Sequence, residues 1–179
     1  MNDSIRTSED RTGPWLPSWF THPAHLELDS GFHLRPLRAV DVDLHRVAVA
    51  RSGLSRRARL GRVRQRPPAD PAAAADPGHQ PLWERWAAQG ASFTYGVLDE
   101  AEDEMVGCVH VGPPRGGAAG GVDADVSWWL VDAHASSSLH AELPGALRAW
   151  TTRDWPFTRP RFVGVDVSWS RWAALDGPC

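Results

Sequence analysis

Residues 93–111 read FTYGVLDEAEDEMVGCVHV, and no other stretch limits so strongly what this chain can become. Phe93, Tyr95 and Val97 alternate with Thr94 and Gly96, the period of a strand whose two faces differ. The polar run DEAEDE follows, and residues 105–111 are again apolar. Two strands joined by a short polar turn pair as an antiparallel hairpin, so a sheet lies at the centre of the fold. After the Gly/Pro loop GPPRGGAAGG, residues 125–131 (DVSWWLV) predict a third strand, with Trp128 and Trp129 on opposite faces. Leu139, Leu143, Leu147 and Trp150 then recur at i, i+4, i+8 and i+11, a helix running from Ser136 that Pro144 can shorten or kink. WPFTRP ends that helix, and RFVGVDVSW reads as a further core strand.

Upstream, residues 26–28 and 32–37 are short apolar runs around the turn Asp29-Ser30-Gly31, a second hairpin. Asp41 or Asp43 is placed to cap a helix carrying Leu44, Val47 and Ala48 on one face. Trp83 and Trp86 stand at helical spacing, with Gly90 suited to the helix end. Residues 51–82 have a different character. Arg56, Arg57, Arg59, Arg62, Arg64 and Arg66 are followed by prolines and an alanine run, and Leu54, Leu60 and Val63 are too few to anchor helices. That segment reads as weakly helical or disordered. Residues 1–25 form an arm in which GPWLPSWF is broken by proline, and Trp15, Trp19 and Phe20 are expected to dock on the domain. One domain is expected over residues 26–170, with a tail at 171–179.

At 179 residues the chain has the length of a single domain with its own core. It lacks a run of the ~20 apolar residues that spans a bilayer, and its first 25 residues do not form a secretory signal. Cys108 and Cys179 cannot build a disulfide framework, so a reducing compartment, the cytoplasm, is the default. A net charge of −3 argues against a nucleic-acid partner, and the Arg-rich stretch has no interleaved aromatics to stack bases. His22 and His25 are split by proline, and His134 and His140 lack Cys or acidic partners at ligand spacing, so no metal is expected. Cys108 reads as a small buried hydrophobe.

The order hairpin, Gly-rich loop, strand, helix, strand resembles the GNAT acyl-CoA N-acetyltransferases. HLRPLRAVDVD matches the family's opening strand and helix cap, and FTYGVLDEAEDEMVGCVHV its central hairpin. DADVSWWLV, the helix after it and RPRFVGVDV are similar to the fourth strand, cofactor helix and fifth strand. The likeness covers residues 26–50 and 83–167. It implies an α/β (α+β) fold, a mixed and mostly antiparallel sheet flanked by helices, here without the family's last helix and strands.

The resemblance also implies a chemistry. Acetyl-CoA, the co-substrate, would lie in a splay between the fourth and fifth strands, with backbone groups of Trp129, Leu130 and Val131 along its pantetheine. The family's pyrophosphate loop, usually Q/R-x-x-G-x-G/A, corresponds to VDAHASSSLH, which has neither Gly nor Arg. Ser136, Ser137 and Ser138 could offer hydroxyl and N–H groups there, or one serine could simply cap the helix. Asp125 and His110 are the candidates for the base that deprotonates an amine. The family's C-terminal tyrosine has no counterpart, since Tyr95 belongs to the second strand. The expected activity is acetyl transfer to an amine of a small molecule or protein. The alternative is a GNAT-fold module that has lost the chemistry and serves in binding or structure.

Overall fold

A computed structural model describes residues 15–53, 82–117 and 121–175. Its centre is a six-stranded sheet in sequence order: β1 (Leu26–Glu27), β2 (Phe32–Pro36), β3 (Phe93–Asp99), β4 (Met105–Gly112), β5 (Ala124–Leu130) and β6 (Pro160–Phe162). Neighbours are antiparallel from β1 to β5, and β6 joins β5 in parallel. Four helices complete the described architecture: α1 (Val42–Arg51), α2 (Leu82–Ala88), α3 (Ser138–Asp154) and α4 (Trp169–Ala173). The parallel pair requires a crossover, and α3 provides it. This is the mixed, mostly antiparallel sheet flanked by helices that the sequence implied.

Both hairpins form where expected. Gly31, at φ +82°, turns the chain between β1 and β2. The acidic run turns β3 into β4, with the Asp99 carboxylate accepting from the Glu104 N–H at 2.9 Å. Alternation along β3 sorts the two faces. Tyr95 meets Trp150 of α3 at a ring separation of 5.0 Å, and Phe93 meets Trp155 at 5.3 Å. Gly96 looks the other way, toward Leu37 and Met105, on the face that α1 covers. Leu139, Leu143, Leu147 and Trp150 of α3 are all fully buried. Pro144 is accommodated within the helix, which runs unbroken for 17 residues.

Several expectations need correction. On α1 the buried stripe is His45 and Ala48, whereas Val47 is 55% exposed. No aspartate side chain caps α1. The Asp41 carboxylate instead accepts from Arg35 at 2.7 and 2.9 Å and from the Arg38 N–H at 2.7 Å. Burial works against ionising Asp41, but these bonds outweigh it and lower its pKa. RFVGVDVSW is not one strand: only residues 160–162 pair with β5, because Gly164 (φ +94°) bends the chain and Asp166 accepts from the Phe162 N–H. The arm docks through Trp15 and Phe20, whose rings lie 5.5 Å from Phe157 and 5.2 Å from Trp155, but Trp19 is 76% exposed. Residues 54–81, which hold most of the Arg/Ala/Pro-rich segment, lie outside the described residues, as do 1–14.

Candidate active site

The sheet opens at β5. Its rungs with β6 are Ala124–Pro160, Asp125–Arg161 and Val126–Phe162, and the Val163 N–H adds one bond to the Val126 carbonyl at 2.9 Å. Beyond Val126 the strand continues for four residues with no β6 partner among the described residues. Backbone groups alternate sides along a strand. The Val131 N–H donates to the Val106 carbonyl at 2.8 Å, so Ser127, Trp129 and Val131 face β4. Trp128 and Leu130 therefore turn their N–H and C=O groups to the open side. Of the three residues expected along a pantetheine, Leu130 faces the gap and Trp129 and Val131 do not. Trp128, whose backbone groups face the same side as those of Leu130, was not among the residues expected there, because only the pairing partner reveals which parity is outward.

The segment after β5 coils on itself. Residues Asp132–His134 form a 3-10 turn, and the N–H groups of His134, Ala135 and Ser137 donate to the carbonyls of Val131, Asp132 and His134. Ser137 is the N-cap of α3: its Oγ accepts from the His140 N–H at 3.4 Å and donates to the His134 carbonyl at 2.9 Å. Ser136 and Ser138 are exposed at either side of it.

On the face beneath α1, a polar row crosses three strands. Thr94, His110 and Ser127 are register partners on β3, β4 and β5. Thr94 and Ser127 are each 6% exposed. Thr94 Oγ1 lies 3.2 Å from His110 Nδ1, while His110 Nε2 is buried and has no hydrogen-bond partner among the described residues. Burial, with His45 adding repulsion, lowers the His110 pKa to about 4, so its imidazole is neutral at physiological pH. His45 packs its ring 5.4 Å from Trp83 and 6.0 Å from Trp129. A polar residue inside each otherwise apolar strand was the signal that could have marked Thr94 and Ser127.

Asp125 shares that face, one pleat further toward the start of β5. Its carboxylate accepts from Arg161 Nε at 2.7 Å and Nη2 at 2.9 Å, from the Arg115 N–H at 2.8 Å and from Trp172 Nε1 of α4 at 2.6 Å. Arg115 stacks on Trp172, its guanidinium carbon 4.3 Å from the ring centre. The structure thus brings His110, Trp129 and Asp125 to one face and leaves the serines at the far end of β5. Tyr95 is on the opposite face, where its hydroxyl donates to the Pro23 carbonyl at 2.8 Å, and burial raises its pKa. Cys108 is fully buried, as its sequence position suggested. No cluster of metal-ligating side chains occurs among the described residues. None of the described helices is long and apolar enough to cross a membrane.

An acyl-pantetheine thioester is an extended chain with two amides, and the outward groups of Trp128 and Leu130 fit that arm. At the start of α3 the N–H groups of Ser136, Ser138 and Leu139 keep no acceptor among the described residues, the kind of donor a diphosphate takes, while Asp132 sets a negative charge nearby.

No protein-family model matches this chain, and no curated protein matches it significantly in sequence. Solved structures do. One called "Probable acetyltransferase" superposes with a TM-score of 0.53 at 13% identity, over 77% of this chain and 72% of that one. The ribosomal-protein-S5-alanine acetyltransferase of Vibrio fischeri gives 0.52 at 14% identity, over 87% and 82%. A Vibrio cholerae structure gives 0.53 at 15% identity, over 84% and 80%. At such identity the likeness is one of architecture. The chain has the GNAT acetyltransferase fold.

Proposed function

We propose that this protein transfers an acetyl group from a pantetheine thioester, acetyl-CoA in the first instance, to an amine of a small molecule or a protein. The observation that carries this reading is the open edge of β5, in a fold whose solved neighbours are acetyltransferases. The thioester would supply an activated acetyl carbon. The amine nitrogen forms a new bond to that carbon, the carbon–sulfur bond breaks, the nitrogen sheds one proton and the departing thiolate gains one.

His110 is the group we assign to the shed proton. Its Nε2 has no hydrogen-bond partner among the described residues, Thr94 holds its Nδ1, and burial keeps the ring neutral and able to accept. A ring with a pKa near 4 is a weak base, so it acts as a hydrogen-bond acceptor that favours the neutral amine more than as a strong proton sink. Asp125 we assign to anchoring, because its oxygens already serve Arg161, Arg115 and Trp172. Trp129 forms the apolar wall beside His45.

A second reading has its own support: the segment VDAHASSSLH after β5 carries no Gly, Arg or Lys, which favours a module without chemistry. Thiol release from acetyl-CoA in the presence of an amine panel and of ribosomal-protein peptides separates the two. Turnover that His110→Gln lowers about a hundredfold supports acyl transfer with His110 as acceptor. Binding of acetyl-CoA with no thiol release above the blank supports the binding module.

A further inference from the structure

Acetyl transfer leaves a second proton to be placed: the amine sheds one, and the departing thiolate must gain one. Tyr95, the one tyrosine of the sequence, stands on the opposite face with its hydroxyl committed to the Pro23 carbonyl. Ser127 stands where the need arises. Val126 forms the last rung of β5 with β6, so Ser127 is the first residue past the point where the strands part. With its phosphates at the unbonded N–H groups that open α3 and its arm along Trp128 and Leu130, a CoA thioester points its sulfur back toward this position. The Ser127 side chain shares the face of His110, its register partner, and is 6% exposed. Its hydroxyl makes no hydrogen bond among the described residues. On the other side of His110, Thr94 Oγ1 holds Nδ1 at 3.2 Å, which leaves the buried Nε2 to meet something else. Register partners of an antiparallel pair keep their Cβ atoms about 4.5–5.5 Å apart, a span that a serine hydroxyl and an imidazole nitrogen close by rotation about χ1.

We propose that Ser127 is the catalytic proton donor to the departing thiolate and that His110 resupplies it, so that the row Thr94–His110–Ser127 carries one proton from the amine to the sulfur. This rests on the acyl-transfer reading above and adds the leaving-group step to it. The amine nitrogen bonds to the acetyl carbon, and the carbon–sulfur bond breaks with its electron pair staying on sulfur. The proton shed by nitrogen goes to His110 Nε2, His110 passes a proton to Ser127 Oγ, and Ser127 gives its own hydroxyl proton to the thiolate. Both residues end as they began, and no proton is drawn from solvent. The weak basicity of a buried imidazole suits a relay, because His110 once protonated is a strong acid that does not keep the proton.

Two donors of one shape test the proposal: acetyl-CoA and the acetyl selenoester of CoA in which selenium replaces the sulfur. A selenol is a stronger acid than a thiol, so its anion departs without a proton. Ser127→Ala should lower kcat about a hundredfold with acetyl-CoA and under about threefold with the selenoester. Ser127→Cys, which keeps a proton donor, should retain at least about a tenth of the parent kcat with acetyl-CoA. Comparing the two donors within each variant cancels any general loss of folded protein. Equal losses with both donors in Ser127→Ala would show that Ser127 only packs the site, and an undiminished kcat with acetyl-CoA would show that the thiolate takes its proton elsewhere. Either result overturns the relay and leaves acyl transfer intact, as does Ser127→Cys protein no more active than Ser127→Ala. Turnover of neither donor by the parent, with the amine panel and the ribosomal-protein peptides, overturns the acyl-transfer reading itself and the relay with it.

Discussion

Arg161 grips Asp125 with two hydrogen bonds, 2.7 Å to Oδ1 and 2.9 Å to Oδ2, across the middle rung of the parallel β5–β6 pair. One rung later the two strands part. Both side chains are nearly buried, Arg161 at 15% and Asp125 at 7% exposure, so the pair works in a medium where losing either charge strands the other. Asp125→Ala should therefore cost about 3 kcal/mol in urea unfolding. Trp172→Phe, which removes only one donor to the same carboxylate, should cost about half as much. Equal and small losses in both variants would show that the ion pair does not hold the sheet together at the splay.

His110 makes stability depend on pH in a window of its own. Its folded pKa of about 4 lies below the ordinary 6.5, so the unfolded chain binds more protons between those two values. Stability should then fall as pH drops from 6.5 toward 4, by about 3 kcal/mol at most, and level off below. His22, whose pKa burial also lowers, contributes in the same direction. The carboxylates act lower. The Arg35 hydrogen bond, with His33 and Arg38 also helping, holds Glu102 at about 2, so its contribution is complete above 4.5 and is lost as pH falls toward 2. Urea unfolding of His110→Gln from pH 7 to pH 4 should give a markedly flatter curve than the parent. A parent curve already flat over that range would contradict the buried neutral ring.

What the sequence made legible was local alternation. Phe93 to Val97 and Met105 to Val111 carry their hydrophobic period in the residues themselves, and α3 carries its own at Leu139, Leu143, Leu147 and Trp150. The site depends on relations that no window contains. That Trp128 and Leu130 face the gap follows from which side β4 occupies. The partners of Asp125 come from Arg161, 36 positions on, and Trp172, 47 positions on. VGVDV alternates like a strand, yet the Val165 and Asp166 N–H groups both return to the Phe162 carbonyl and close a turn. The cap at Ser137 was legible as one of two roles, and its hydroxyl does accept from the His140 N–H.

The arm gives a contrast within five residues. Trp15 stacks on Phe157 and donates its indole N–H to the Gly90 carbonyl at 2.6 Å, and neighbouring Leu16 is buried in the core. Trp19 keeps 76% of its surface in water. Trp15→Ala is expected to cost about 3 kcal/mol and Trp19→Ala under about 0.5 kcal/mol, by chemical unfolding. Comparable effects would mean that the arm does not dock through Trp15.

Gly107 is where β4 and β5 come too close for any side chain. It is the register partner of Leu130, and a Cβ there would lie 2.3 Å from the Trp129 carbonyl oxygen and 2.7 Å from Leu130 Cδ2. The first of these is backbone and cannot swing away, so Gly107→Ala must push β5 outward or rotate the peptide at Leu130. Gly112, five residues along the same strand, is the control: its nearest atom to a built Cβ is Ser92 Cβ at an ordinary 3.7 Å. Gly107→Ala should cost about 3 kcal/mol in unfolding free energy, as overpacking does, while Gly112→Ala should be neutral or slightly stabilising because the unfolded chain loses freedom. The same displacement reaches the outward groups of Leu130. Gly107→Ala protein that is still folded at low temperature should therefore bind pantetheine at least about tenfold more weakly than the parent, and Gly112→Ala should bind it equally. Unchanged pantetheine affinity in folded Gly107→Ala would show that the free edge of β5 is not where the donor lies.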